Sequence, residues 1–302
     1  PLKYQKIQYD PKYAIWRDAP DTAMSLRFFH VGMQFNLPVR MHVIDPDTQQ
    51  AHEIHFDPER FDYDDSGVDK AQLKGHDFGY AGFKLMRDHD ANASHEAGAF
   101  LGASYFRFLD KNNQYGISAR GLAIDTATEQ TEEFPDFVAF WFEQPHDGQQ
   151  AIVYALLDSP GVTGAYRFVI TPGRNTVMTV TARLFARKDI GRLGVAPMTS
   201  MFLFAENNDS AFDDYRGQVH DSDGLKIVRK DGDELWRNLN NPSQLATSFF
   251  SEDSPQAFGL YQRDRDFAHF QDAGAHYERR PSLLVEPLEA WERGNITLVE
   301  IP

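Results

Sequence analysis

Cysteine is absent from all 302 residues. That excludes disulfides, thiolate metal sites and a cysteine nucleophile, and it suits either the cytosol or a periplasm. Apolar runs of the roughly 18–20 residues that a membrane-spanning helix needs are also missing. Positive charge is scarce: 30 Lys and Arg stand against 45 Asp and Glu, a formal net charge of −15. Nucleic-acid affinity comes largely from clustered Lys and Arg, so no nucleic acid is expected as partner. Motifs are lacking as well. There is no Gly-x-Ser-x-Gly elbow for a serine nucleophile and no glycine-rich phosphate loop for a nucleotide, and no cofactor is expected.

What is present is apolar, aromatic and finely punctuated. Hydrophobic residues make up 41% of the chain, with 24 Phe, 12 Tyr and 4 Trp, which is enough for a sizeable core rather than disorder. Apolar side chains recur at every second place in Met24–Phe28, Val39–Val43 and Met178–Leu184, the pattern of strands with one wet and one buried face. Further strands are predicted over Ala151–Leu157, Ala165–Ile170, Thr199–Phe204, Ala246–Phe250, Ala257–Tyr261 and Ile296–Ile301. Turn chemistry fills the spacers, as in Pro172-Gly173-Arg174-Asn175. Short helices are expected only at Asp69–Lys74 and near Asp209–Tyr215. Many short strands with 16 Pro and 21 Gly predict an all-β, antiparallel sandwich or barrel. No repeat or flexible linker divides the chain, so residues 1–302 read as one large domain.

The densest polar constellation is Arg216-Gly217-Gln218-Val219-His220-Asp221-Ser222-Asp223-Gly224-Leu225. If extended, Asp221 and Asp223 project from one face, with His220 and Ser222 opposite. A carboxylate pair beside a histidine serves acid–base chemistry, a divalent cation or sugar hydroxyls; the same run is also ordinary composition for an Asx turn. As a calcium loop it fails, because Lys226, Ile227, Val228 and Arg229 follow where acidic ligands are needed. His52-Glu53-Ile54-His55 lacks the spacing of two ligands on a helix face, and no metal is expected. The acidic runs Asp62–Asp65 and Glu129–Glu133 read as solvated surface. Three sequons, at Asn92, Asn208 and Asn295, carry little weight. Trp236-Arg237-Asn238 combines a stacking ring with guanidinium and amide donors, as sugar sites do, although core aromatics flanked by surface charge look the same.

Several long segments share one likeness. They are Phe78–Lys84, Leu101–Arg107, Tyr115–Thr126, Tyr154–Pro160, Leu193–Phe204, Val219–Leu225, Trp236–Pro242 and Gly259–Phe267. Together they closely resemble the bacterial periplasmic glucan biosynthesis proteins of the G and D type, in order and over nearly the whole chain. The resemblance implies a large β-sandwich of the galactose-mutarotase-like (supersandwich) type, a periplasmic address and a role with β-1,2-linked glucan. A start at Pro1 rather than Met agrees with an exported precursor whose signal peptide is gone.

The resemblance further implies an inverting hydrolase that cuts β-1,2-glucan inside the chain, with Asp221 as general base. Inverting carboxylates stand about 6.5–9.5 Å apart, so Asp223 is not the acid by adjacency; its expected task is orientation or substrate binding. His220, Trp236, Arg237, Arg265 and Asp266 are the other expected substrate contacts, with Arg265-Asp266 also readable as a structural ion pair. The family's general acid and an immunoglobulin-like domain are expected beyond Pro302, so weak or no hydrolysis is expected from these residues alone. Two other functions remain open: a non-catalytic glucan-binding scaffold assisting a membrane glucan synthase, and, by fold analogy only, a sugar epimerase.

Overall fold

A computed structural model of the chain describes residues 2–19, 22–90, 93–110, 113–145, 150–208 and 213–302. With 46% of the described residues in strands and 7% in helices, the protein is all-β, and its sheets form a sandwich rather than a barrel. Two compact units emerge: Pro1–Asn113 with Gly121–Ile124 and Glu133–Val195, and Gln114–Arg120 with Asp125–Glu132 and Ala196–Pro302.

The first unit contains a six-stranded sheet in the order Val177–Ala186, Val162–Thr171, Ala151–Asp158, Asp136–Glu143, Arg40–Ile44 and Ala51–Glu53. Its neighbours are antiparallel except Asp136–Glu143 beside Arg40–Ile44, which run parallel. That exception departs from the all-antiparallel expectation. Two strands so far apart in sequence meet without a hairpin, and nothing then forces them to be antiparallel. Met24–His30, Tyr80–Asp90, Ala93–Leu101 and Tyr105–Phe108 form an antiparallel set of their own.

The two sets meet through aromatic rings. Phe83 lies 5.0 Å from Phe140 and 4.7 Å from Phe142, and Phe100 lies 5.1 Å from Phe168, each edge-to-face. Edge-to-face pairs add about 0.5–1.5 kcal/mol to the burial of the rings themselves. Period-two alternation of burial is clearest in Ala151–Asp158 and Val162–Thr171, the inner strands. It fails in Val177–Ala186, where Val180 is 39% exposed although the pattern predicts a buried face. As the outermost strand it has a sheet neighbour on one edge only.

The second unit holds a four-stranded antiparallel sheet in the order Glu234–Asn238, Gly224–Val228, Ala257–Tyr261 and Leu283–Val285. A ribbon pairs Ala246–Asp253 with Arg293–Glu300, and Phe202–Phe204 pairs with Val219–His220 across a bulge. Its core is small: Ile117, Leu225, Ile227, Leu239, Phe258, Leu260 and Leu298.

The helix expected at Asp69–Lys74 is a 3-10 turn over Lys70–Leu73, capped by the Asp69 carboxylate on the Ala71 amide. Most of the expected Asp209–Tyr215 turn lies outside the described residues. A four-residue α-helix, Phe267–Phe270, escaped the sequence reading because it is too short to show a period. No helix among the described residues is long and apolar enough to cross a membrane.

Candidate functional site

All of the expected site residues fall in the second unit. Asp221 to Asp223 link the strands Val219–His220 and Gly224–Val228. This segment is tied to distant chain. The N–H of Asp221 donates to Met201 O at 2.8 Å, that of Asp223 to Tyr261 O at 2.7 Å, and Asp223 O accepts from Leu239 N at 3.0 Å. Burial alternates as an extended segment requires: His220 and Ser222 have no exposed surface, while Asp221 and Asp223 are half-buried. Asp223 Oδ1 accepts from the amide of Arg263, far along the chain, rather than closing a local Asx turn.

Asp221 Oδ1 faces Arg280 Nε at 3.6 Å. The guanidinium is fixed by other partners, Nη1 donating to Tyr115 O at 2.6 Å and the single Nε–H to Ala275 O at 3.1 Å, with the Tyr277 ring 5.3 Å away, so Asp221 meets it as an ionic contact. A cation beside a carboxylate favours the anion, while burial of Oδ1 opposes it.

Arg265 supports this arrangement from one step back. Its Nη1 donates to Arg280 O at 2.6 Å and Glu278 O at 3.2 Å, and its Nη2 to Ser282 Oγ at 3.3 Å, fixing the stretch that carries Arg280. Asp266 caps the Phe267–Phe270 helix by accepting from Ala268 N at 2.9 Å.

His220 sits between Phe202, stacked at 5.6 Å, and Phe270, edge-on at 5.3 Å. Its Nδ1 lies 2.7 Å from Gln262 Oε1 and its Nε2 3.0 Å from Gln218 Oε1. Burial pulls its proton affinity below the ordinary imidazole range, opposed by the Gln262 hydrogen bond and the carboxylates of Asp223 and Asp264. Burial alone would push the Asp264 carboxyl up. Hydrogen bonds from the Asp266 amide, His269 and Gln218 outweigh it and hold this group below the usual carboxylate range.

Trp236 and Arg237, neighbours on one strand, go to opposite faces. Arg237 Nη2 binds Glu300 Oε2 at 2.9 Å, and Glu300 Oε1 accepts from Asn240 N at 2.7 Å, so Arg237 is engaged by a buried carboxylate. Trp236 is half-exposed, with its Nε1 donating to Asn238 Oδ1 at 2.5 Å. The Arg263 guanidinium lies over its ring at 4.9 Å, and Arg263 Nε stands 3.7 Å from Asp223 Oδ2.

The fold thus groups Asp221 with Arg280, Asp223 with Arg263 and Trp236, and His220 with two glutamines, while Arg237 points elsewhere. Arg280 escaped the sequence reading, whereas Gln218 lay in the polar constellation and Arg263 and Gln262 beside Tyr261 without an assigned site role. Gln262 and Arg263 lie inside a recognised segment, but Arg280 stands in a run with no motif.

A cavity of 280 Å³ lies in the first unit, floored by Phe100, Phe137 and Phe140 and rimmed by Gln34, Asn36 and Asp136. Burial pushes the Asp136 carboxyl up. None of the expected site residues lines this cavity, which is mostly apolar. Among the described residues no group of three or more His, Asp or Glu is arranged to hold a metal ion.

Comparison with known proteins adds to this geometry. The profile of the family described as "Periplasmic glucan biosynthesis protein, MdoG" matches residues 2–302. Glucans biosynthesis protein D of Pseudomonas fluorescens is 50% identical over 304 residues, covering 100% of this chain and 56% of that protein. Glucans biosynthesis protein G of Cereibacter sphaeroides is 50% identical over 301 residues, covering 99% and 55%. Glucans biosynthesis protein D of Enterobacter sp. is 48% identical over 305 residues. The chain spans about half the length of these relatives, 55–56% in each case.

Proposed function

Because the chain belongs to the family of periplasmic glucan biosynthesis proteins, we propose that its second unit carries a glucan-acting site centred on Asp221. In this reading the whole protein works in the periplasm as an inverting endo-β-1,2-glucanase. Asp221 takes a proton from the water that attacks the anomeric carbon, on the ring face opposite the departing oxygen. A second carboxyl group, in its acid form, gives its proton to that oxygen. Arg280 orients Asp221, Asp223 supplies a hydrogen-bond acceptor for sugar, and Trp236 offers a ring face once the Arg263 guanidinium moves off it. Arg265 and Asp266 support the site rather than touch the glucan. The observation that carries this reading is the Asp221–Arg280 contact, at 3.6 Å, on the less buried side of a segment whose other residues, His220 and Ser222, are fully buried.

A second reading has its own support. The Asp221 side chain is only 15% exposed, which leaves little room for an attacking water beside it and suits a protein that binds glucan for a membrane synthase without cutting it. Reducing ends released from linear β-1,2-glucan decide between the two. The full-length protein is expected to release them, and its Asp221→Asn variant to do so about 10²–10⁴-fold more slowly. A variant at full rate removes the base assignment. Tight binding by the full-length protein with no release leaves the scaffold.

A further inference from the structure

His220 has no exposed surface, and an amide oxygen faces each of its ring nitrogens. Both amides are anchored through their nitrogens. Gln262 Nε2 donates to His220 O at 3.0 Å and to Tyr277 O at 2.8 Å. Gln218 Nε2 donates to the carboxylate of Asp264, which also accepts from His269 Nδ1 at 2.7 Å and Asp266 N at 3.0 Å. Carbonyls and ionised carboxylates only accept, so neither amide can turn its oxygen outward without facing another acceptor.

A neutral imidazole donates from one nitrogen and accepts at the other. With two oxygens aimed at the ring, the geometry is complete only for the doubly protonated form. Leaving one bare nitrogen against an oxygen in a buried site is unfavourable. The faces of the ring offer no compensation, being covered by Phe202 and Phe270. The charges acting on it are the carboxylates of Asp223 and Asp264, which favour the cation, against burial, which opposes it.

We infer that His220 is a proton-dependent positioning residue for Asp221: doubly protonated, it holds Gln218 and Gln262 as seen, and on losing a proton to solvent from Nε2 it lets the Gln218 amide turn over. Gln218 is the one that moves, since it has a single anchor and Gln262 has two. The turned amide donates to the bare Nε2 and gives up Asp264. Asp221 follows His220 directly, and Gln262 binds the His220 carbonyl as well as the ring. Gln262 stays and ties the ring to the peptide that carries the base, so the ring movement that Gln218 releases is passed to Asp221 through that shared backbone.

This inference deepens the glucanase reading and rests on it only for its catalytic arm. The test is ¹⁵N NMR of the full-length protein, labelled at histidine and glutamine side chains, across about pH 5–8. Both His220 nitrogens are expected to be protonated at the acidic end, with Nε2 losing its proton as pH rises. The Gln218 side-chain amide is expected to shift with the same midpoint. Gln218→Glu puts a carboxylate against Nε2 and is expected to raise that midpoint by about 1–3 pH units. The pH profile of glucan cleavage is expected to carry the same midpoint and move with it. A ring that titrates while Gln218 stays unchanged overturns the inference, as does a ring with one protonation pattern throughout. If ring and amide titrate together but the cleavage profile ignores them, the link to Asp221 is wrong. Absence of cleavage under all conditions overturns the glucanase reading alone, since the NMR arm stands without it.

Discussion

Trp236 lies across Gly224 so closely that a methyl group at the glycine would meet the indole Cζ2 at 2.0 Å. The two residues sit on adjacent strands, Gly224 pairing with Asn238 and Lys226 with Trp236, so the ring reaches diagonally onto the glycine. One face of the indole is thereby fixed to the sheet, and the other carries the Arg263 guanidinium. Here the glycine serves the close approach of a ring rather than a turn.

Gly224→Ala is accordingly expected to displace Trp236 and to destabilise the fold by about 1–3 kcal/mol, the usual cost of overpacking. Urea unfolding checks the stability, and the change in tryptophan emission, read against Trp236→Phe, checks the displacement. An alanine variant with wild-type emission and stability would show that the ring does not rest on the glycine.

Arg237 and Glu300 give a second prediction. Glu300 is 7% exposed and takes two hydrogen bonds, from Arg237 and from the Asn240 amide. Arg237→Met leaves that carboxylate without its cation. It is expected to cost about 3 kcal/mol, the low end for a broken buried pair because Arg237 itself is partly exposed. Glucan affinity per folded molecule, measured by calorimetry, is expected to be unchanged. A loss of affinity without a loss of stability would return Arg237 to the sugar contacts.

The pH dependence of stability supplies a third. Arg216 grips Asp214 through Nε and Nη2 and lowers its carboxyl from 3.8 to about 2, chiefly by hydrogen bonding. A carboxyl depressed in the folded state binds its proton more readily when unfolded. Its stabilisation is full above pH 3.8 and is lost as pH falls toward about 2. Asp214→Asn is expected to flatten the fall of Tm across that window. An unchanged slope would mean that the pair is not formed in solution.

The strands were legible in the sequence because a period of two needs only neighbours. Ala257–Tyr261 was found to the residue, and Ala151–Leu157 to within one. The same period placed Asp221 and Asp223 on one side of the chain and His220 and Ser222 on the other. It overreached at Val177–Ala186, since alternation reports which side chains share a face and not whether anything covers that face. The sequence also ranked Arg237 with Trp236, although consecutive strand residues point to opposite sides and only Trp236 joins Asp223 and Arg263.

Local pattern therefore determined that this protein is all-β, free of thiol chemistry and poor in the basic charge that nucleic acid requires, and the recognised segments carried its family. The tertiary structure decided which groups surround the candidate base. His220 meets Gln262 across 42 residues, and Arg280 reaches Tyr115 across 165. Such partners are set by strand pairing and loop closure, which bring together residues that no periodicity links. A carboxylate's identity is written at one position, but its charge, direction and access depend on side chains delivered from elsewhere in the fold.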